Sequence, residues 1–237
     1  MTPFSAILRN IRETTHFFFL RHGESLGNVR GQMQGHEDLE LTEAGRAQAL
    51  AAGRWFRDQQ VPIGKIFTSP LRRASKTAEI IRSENRYPRE ETLETLKELN
   101  LGAFSGMTIP EIRDRYPTEF SRFTEESWEA VPGAERISSL SERALRVWER
   151  LTTEANSGVS HILSVTHGGF LQWLLKTSFG IPGTNGWIPL IKASNCSIFL
   201  FIARPAGNGS YYGQWSLMNY VPGELPDLGE QFYAHNR

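Results

Sequence analysis

Apolar runs and amphipathic stretches alternate along this chain, and the change of period from one to the next predicts its elements. Phe17, Phe18 and Phe19 lie in an unbroken run from His16 to Leu20, the pattern of a strand buried on both faces. A helix is expected from about Thr42 to Gln59, followed by a short strand around Ile66 and Phe67. From Pro70, Leu71, Ala74, Ala78 and Ile81 recur at helical spacing; from Ser139, so do Leu140, Ala144, Val147, Trp148 and Leu151. Ser139 and Glu142 have the spacing of a capping box for that second helix. A second buried strand is predicted from Ile162 to Val165, with another helix starting in Phe170 to Leu175. Ser197 to Ala203 and Tyr211 to Tyr220 flank Gly207-Asn208-Gly209 and predict a hairpin. Residues 105–135 are interrupted by Pro110, Pro117 and Pro132 and predict a small cap outside the sheet, while the tail from Pro222 carries no pattern.

Strands that alternate with helices predict an α/β fold. The expected form is a three-layer sandwich, with a central, mostly parallel sheet flanked by helices, in one domain spanning residues 1–237. Apolar content of 39% and charged content of 22% are those of a soluble globular protein, and 26 basic residues balance 26 acidic ones. With no net field, neither nucleic acid nor an anionic membrane is an expected partner. The lone Cys196 excludes an internal disulfide and a multi-cysteine zinc site. Met1 to Thr15, broken by Arg9, Arg12 and Glu13, lacks the apolar core of a signal peptide, so a cytoplasmic location is expected. The free edge of the hairpin is a place where a homodimer would pair.

Two of the predicted strands end in the same way. Arg21-His22-Gly23 follows the first, and Thr166-His167-Gly168-Gly169 follows the strand at 162–165. Ligands of open α/β sheets bind beyond the carboxyl ends of the strands, so both imidazoles belong to one expected crevice. Arginine beside a histidine suits an anionic substrate: the guanidinium binds oxygens as a fork, and the imidazole acts as base or nucleophile. A lone histidine is read more simply as a cap or core residue. Two at strand ends, each followed by glycine, favour chemistry. Nucleotide-loop and H-E-x-x-H zinc motifs do not occur in the sequence.

Arg21-His22-Gly23-Glu24-Ser25, with Asn28, resembles the signature loop of the histidine phosphatase superfamily, which includes the cofactor-dependent phosphoglycerate mutases. The resemblance runs from about Phe17 to Asn219: Gly35 and Leu41 to Gly45 fit the segment that closes the first loop. Ser69 to Ala74 with Thr77-Ala78 resembles its second arginine motif, Glu98 to Gly102 its acidic motif and Thr166 to Gly169 its second histidine motif. The resemblance implies that His22 attacks phosphorus and forms a phosphohistidine, kept neutral by Arg21 and Arg73. Arg21, Arg73 and His167 would hold the phosphoryl oxygens, with Asn28 as a neutral donor and Gly35 and Gly168 at the substrate. Glu98 is implied as general acid and then base. Neither a metal nor a cofactor is required, and the implied partner is a small phosphomonoester. Arg72, about 100° from Arg73 on a helix, is read as a surface residue. Glu24 is read as orienting the loop, His36 as a loop residue near the site mouth, Cys196 as packing, and His16 and His161 as without a role. Leu99, Asn100 and Leu101 offer no charge where the mutases carry basic and tyrosine residues, which favours a phosphatase. A phosphoglycerate mutase and a non-catalytic binding module on the same fold remain the alternatives. The cap aromatics Phe104, Phe120, Phe123 and Trp128, interleaved with Arg113, Arg115 and Arg122, are read first as packing.

Overall fold

The run His16 to Leu20 lies inside β1 (Thr15–Arg21), where successive side chains face opposite sides of the sheet. Phe17 and Phe19 enter one hydrophobic core, while Phe18 and Leu20 enter the other. One strand thus welds two layers, and each fully buried aromatic contributes about 1.5–3 kcal/mol relative to an exposed one. The structure is a computed structural model that describes residues 4–9, 11–181, 191–207 and 210–223.

Along the chain, α1 (Phe4–Leu8), β1, α2 (Leu26–Val29), β2 (Gln32–Met33) and α3 (Glu43–Asp58) come first. Next are β3 (Lys65–Thr68), α4 (Arg72–Asn85), β4 (Glu91–Thr92), β5 (Met107–Thr108), α5 (Ile109–Arg115), α6 (Pro117–Glu125) and α7 (Ile137–Asn156). The last are β6 (His161–Thr166), α8 (Gly168–Ser178), β7 (Ile198–Gly207) and β8 (Ser210–Tyr220). The main sheet has the order β4-β3-β6-β1-β7-β8. β4, β3, β6 and β1 pair in parallel, whereas β7 and β8 join antiparallel. The fold is α/β with a mostly parallel central sheet, as expected. Helices α3 and α4 cover the face that holds Phe18 and Leu20. Helices α1, α7 and α8 cover the other, where Trp148 is the hub, with ring contacts to Phe4, Phe17, Phe19 and Phe201 at 4.9, 5.6, 5.0 and 5.3 Å.

Several elements differ from the sequence reading. α7 begins at Ile137, two residues before the expected capping box, and Ser139 caps nothing. The first amide of the helix is satisfied instead from the cap, by Glu129 Oε1 at 2.7 Å from Ile137 N. Leu71 is the N-cap of α4 rather than part of it. Pro110 and Pro117 do not break helices. They open α5 and α6, where a missing amide hydrogen costs nothing. The excursion at 105–135 does lie outside the main sheet, anchored by a small antiparallel pair of β5 with β2. The late strands form the expected hairpin, with β7 running on to Gly207. Its turn residues Asn208 and Gly209, and the tail beyond Gly223, lie outside the described residues. Among the described residues no helix is long and apolar enough to cross a membrane.

Candidate active site

The register of the sheet builds the site. β1 and β6 are parallel neighbours with Arg21 opposite Thr166, so His22 and His167 are the next residue past each paired end. Their rings lie 5.1 Å apart, centroid to centroid. β3 ends beside them, with Thr68 opposite Val165. Beyond it the first turn of α4 carries Arg73 back into the same crevice. His22, His167 and Arg73 are 2%, 0% and 1% exposed.

His22 Nδ1 lies 2.7 Å from the carbonyl of Gly23. A carbonyl only accepts, so Nδ1 carries the proton and Nε2 presents its lone pair. That lone pair receives Arg73 Nε at 3.3 Å. The rest of the Arg73 fork is fixed by the carbonyls of Glu37 (2.6 Å) and Gly35 (2.9 Å). Burial first, and then the charges of Arg21 and Arg73, hold the His22 pKa well below 6.5. Burial first, then Arg73, does the same to His167. His167 Nε2 is 2.7 Å from Ser69 Oγ, while its Nδ1, like Arg21 Nε, is buried without a hydrogen-bond partner. Each is a buried nitrogen without a partner, the kind of group that an anion satisfies.

Glu98 sits on the N-terminus of α8 and lines the same cavity as Arg21. Its carboxylate accepts from the amides of Phe170 (2.7 Å), Leu99 (2.9 Å) and Gly169 (3.1 Å), a favourable position for negative charge. A Cβ on Gly169 would lie 2.7 Å from Glu98 Oε1, so only glycine leaves room for that carboxylate.

Other expected residues take different parts. Asn28 spends its side-chain oxygen on the Ser25 amide (3.0 Å) and hydroxyl (2.9 Å), closing the capping box of α2. Gly35, at φ 51°, supplies a carbonyl to Arg73 and is backed by Ser105, so it orients the arginine. Gly168 lies against the Arg21 guanidinium. Arg72 is exposed and paired with Glu40 at 2.9 Å. Glu24 accepts from Thr42 Oγ1 at 2.7 Å and so ties the loop to α3. His36 Nε2 is 2.8 Å from the Glu98 carbonyl, bracing the acidic loop. Cys196 is buried, and its amide donates to the carbonyl of Arg21 at 3.0 Å.

Three contributors escaped the sequence reading. Ser69, part of the second arginine motif, sets the His167 ring. Asn195 donates to the His22 carbonyl at 3.0 Å from the turn before β7. Arg143, buried in α7, forks onto Glu135 (2.7 and 2.9 Å) and onto the carbonyls of Thr95 (3.0 Å) and Lys97 (2.6 Å), clamping the segment that bears Glu98. An arginine on the same stripe as Leu140, Ala144 and Val147 was the available signal.

Fold and site together define an α/β protein with a neutral, lone-pair-presenting histidine among buried cations at the carboxyl ends of its parallel strands. The histidine phosphatase superfamily (branch 1) matches residues 17–210, and the chain belongs to that family. A probable 2-carboxy-D-arabinitol-1-phosphatase of Arabidopsis thaliana is 31% identical over 220 residues, covering 90% of this chain and 43% of that protein. A 2,3-bisphosphoglycerate-dependent phosphoglycerate mutase of Bartonella tribocorum is 30% identical across 69% of this chain and 81% of its own length. The solved structure of a mycobacterial glucosyl-3-phosphoglycerate phosphatase superposes with a TM-score of 0.70 at 25% identity, covering 87% of this chain and 99% of that one. The chain spans less than half the length of the plant carboxyarabinitol phosphatases it matches.

Proposed function

We propose that the protein hydrolyses phosphomonoesters through a phosphohistidine on His22, without a metal ion. The observation that carries this reading is the tautomer of His22: with Nδ1–H held by Gly23, the Nε2 lone pair faces the crevice. Nε2 bonds to phosphorus as the ester P–O bond breaks, and Glu98, which takes up a proton as the anionic ester binds beside it, gives that proton to the leaving oxygen. Glu98 then takes a proton from water, whose oxygen attacks phosphorus, and the P–N bond pair returns to Nε2. Arg21, Arg73 and the free Nδ1 of His167 neutralise the equatorial oxygens, with the Asn28 amide as a neutral donor. Hydrolysis rather than mutase chemistry is favoured by Leu99, Asn100 and Leu101, which place no cation directly after the acid.

The test is a rapid-quench experiment in excess EDTA with p-nitrophenyl phosphate and 3-phosphoglycerate. The expected result is phosphate release with an acid-labile, base-stable phosphoenzyme that is absent from His22→Ala. Complete loss of activity in EDTA, restored by magnesium, would overturn the mechanism. Isomerisation of 3-phosphoglycerate in place of phosphate release would replace hydrolase by mutase.

A further inference from the structure

The two histidines of the site are held from different sides of the ring. The Gly23 carbonyl takes the Nδ1 side of His22 and leaves Nε2 as a lone pair. Ser69 Oγ takes the Nε2 side of His167, at 2.7 Å, and leaves Nδ1 buried without a partner. What that Nδ1 offers a ligand, a hydrogen or a lone pair, depends on which way the bond between Ser69 and His167 runs. Burial and the charge of Arg73 hold the His167 pKa well below 6.5, so the ring is neutral at neutral pH and only one of its nitrogens carries hydrogen.

The direction follows from what Ser69 has to satisfy. Its hydroxyl is fully buried and has one hydrogen to give and two lone pairs. The Leu71 amide, which only donates, gives its hydrogen to Oγ at 3.3 Å in the turn that leads into α4. Among the described residues, the other group within hydrogen-bond reach of Oγ is His167 Nε2. If Nε2 carried the ring hydrogen, Oγ would accept twice and its own hydrogen would be buried with no acceptor, a costly arrangement. Nδ1 would then be a bare lone pair, which repels an anion. In the opposite arrangement Oγ–H donates to Nε2, and the ring hydrogen sits on Nδ1. One unmet group remains, an N–H, and an anionic oxygen meets it.

We propose that Ser69 is a positioning residue: its hydroxyl fixes His167 in the Nδ1–H tautomer, so that this ring gives the phosphoryl oxygens a neutral donor. The inference rests on the reading of the crevice as a phosphate site. The two rings, 5.1 Å apart, then share one tautomer and take opposite roles, His22 as nucleophile and His167 as donor. The difference lies in what stands behind each ring, since a carbonyl only accepts and a hydroxyl also donates. A neutral donor of this kind is not lost as pH rises through the histidine range, as an imidazolium would be.

Long-range proton–nitrogen NMR on protein labelled with nitrogen-15 at its six histidines reads the tautomer directly, with the His167 signals assigned by their absence from His167→Gln. In wild type at neutral pH, Nδ1 should resonate as a protonated nitrogen and Nε2 as an unprotonated one. Ser69→Ala should move His167 toward the Nε2–H form and leave the His22 pattern unchanged, because the Gly23 carbonyl is still in place. Inorganic phosphate, titrated by calorimetry, should bind Ser69→Ala about tenfold more weakly, the scale of one hydrogen bond to a charged group. Ser69→Thr, which keeps the hydroxyl, should keep the wild-type tautomer and most of the affinity. An Nε2–H signature for His167 in wild type would overturn the proposal, whether or not the variants fold. An unchanged tautomer in Ser69→Ala, or a changed one with unchanged phosphate affinity, would overturn it as well. Neither readout needs turnover, so both results as expected without hydrolysis of any ester would sustain the role of Ser69 and overturn the hydrolase reading alone.

Discussion

β1 and β6 carry a histidine pair at each end, and the two pairs behave differently. At the amino ends His16 and His161 face each other in register, with rings stacked 4.4 Å apart and 5° from parallel. At the carboxyl ends His22 and His167 lie 5.1 Å apart at 59°. Both pairs have lowered pKa values, with burial the first cause in all four residues. His16 even shares with His167 a buried Nδ1 that lacks a partner. Neither a lowered pKa nor an orphaned nitrogen therefore distinguishes chemistry from packing. The difference lies in the company. The inner pair has Arg21 and Arg73 acting on it, a carboxylate on the adjoining helix N-terminus, and a partner that sets each ring, the Gly23 carbonyl for His22 and the Ser69 hydroxyl for His167. The charge acting on His16 is that of Arg204, and His161 is tied to its neighbour Ser160 at 3.0 Å.

The sharpest way to break this comparison is to remove one histidine from each pair. His22→Ala should lower kcat/KM for p-nitrophenyl phosphate by on the order of 10⁴-fold or more, as loss of a covalent nucleophile does. His16→Ala should stay within about threefold of wild type, because it alters a ring stack at the far end of the sheet. Comparable losses in the two variants would mean that the carboxyl-end pair is not the reacting one.

A smaller effect separates Glu98 from the groups that bind phosphate. Glu98→Gln should slow an alkyl phosphate by about 10²-fold or more, the range of general acid catalysis, and p-nitrophenyl phosphate far less, since that leaving group departs without a proton. A uniform loss on both would assign Glu98 to holding α8 rather than to proton transfer.

The smallest effect is one of stability and distinguishes the deeper burial of the inner pair. The folded His167 pKa lies below 6.5, so between the two values the unfolded chain binds more protons than the folded one. Its contribution is full above pH 6.5 and is lost as pH falls toward the folded value. Each such histidine steepens the fall by about 1.4 kcal/mol per pH unit. Urea unfolding of His167→Gln should show a shallower acid slope than wild type by about that amount. An unchanged slope would show that His167 is protonated in the folded protein.

Much of this site is legible in the sequence, because its chemistry is concentrated in short stretches that follow apolar runs. Arg21-His22-Gly23 and His167-Gly168-Gly169 stand at strand ends in any α/β reading, and Arg73 lies in the first turn of the helix expected there. The residues that escaped notice act across long gaps in sequence. Ser69 meets His167 from 98 positions away, and Asn195 meets His22 from 173. Trp128 is expected to pack, and the structure gives it both a buried ring and a place in the cavity wall, whereas Phe104 and Phe123 pack against each other with ring centres 5.5 Å apart.

The sequence by itself determined the main strands and helices, the burial of β1 on both faces and the identity of the candidate reactive groups, since periodicity and residue type are local properties. The tertiary structure decided what those groups are able to do. The parallel register of β1 with β6 set His22 beside His167, and Ser69 reached across 98 positions to set the His167 ring. Each depends on distances between residues far apart in the chain, and a distance is fixed only when the sheet closes.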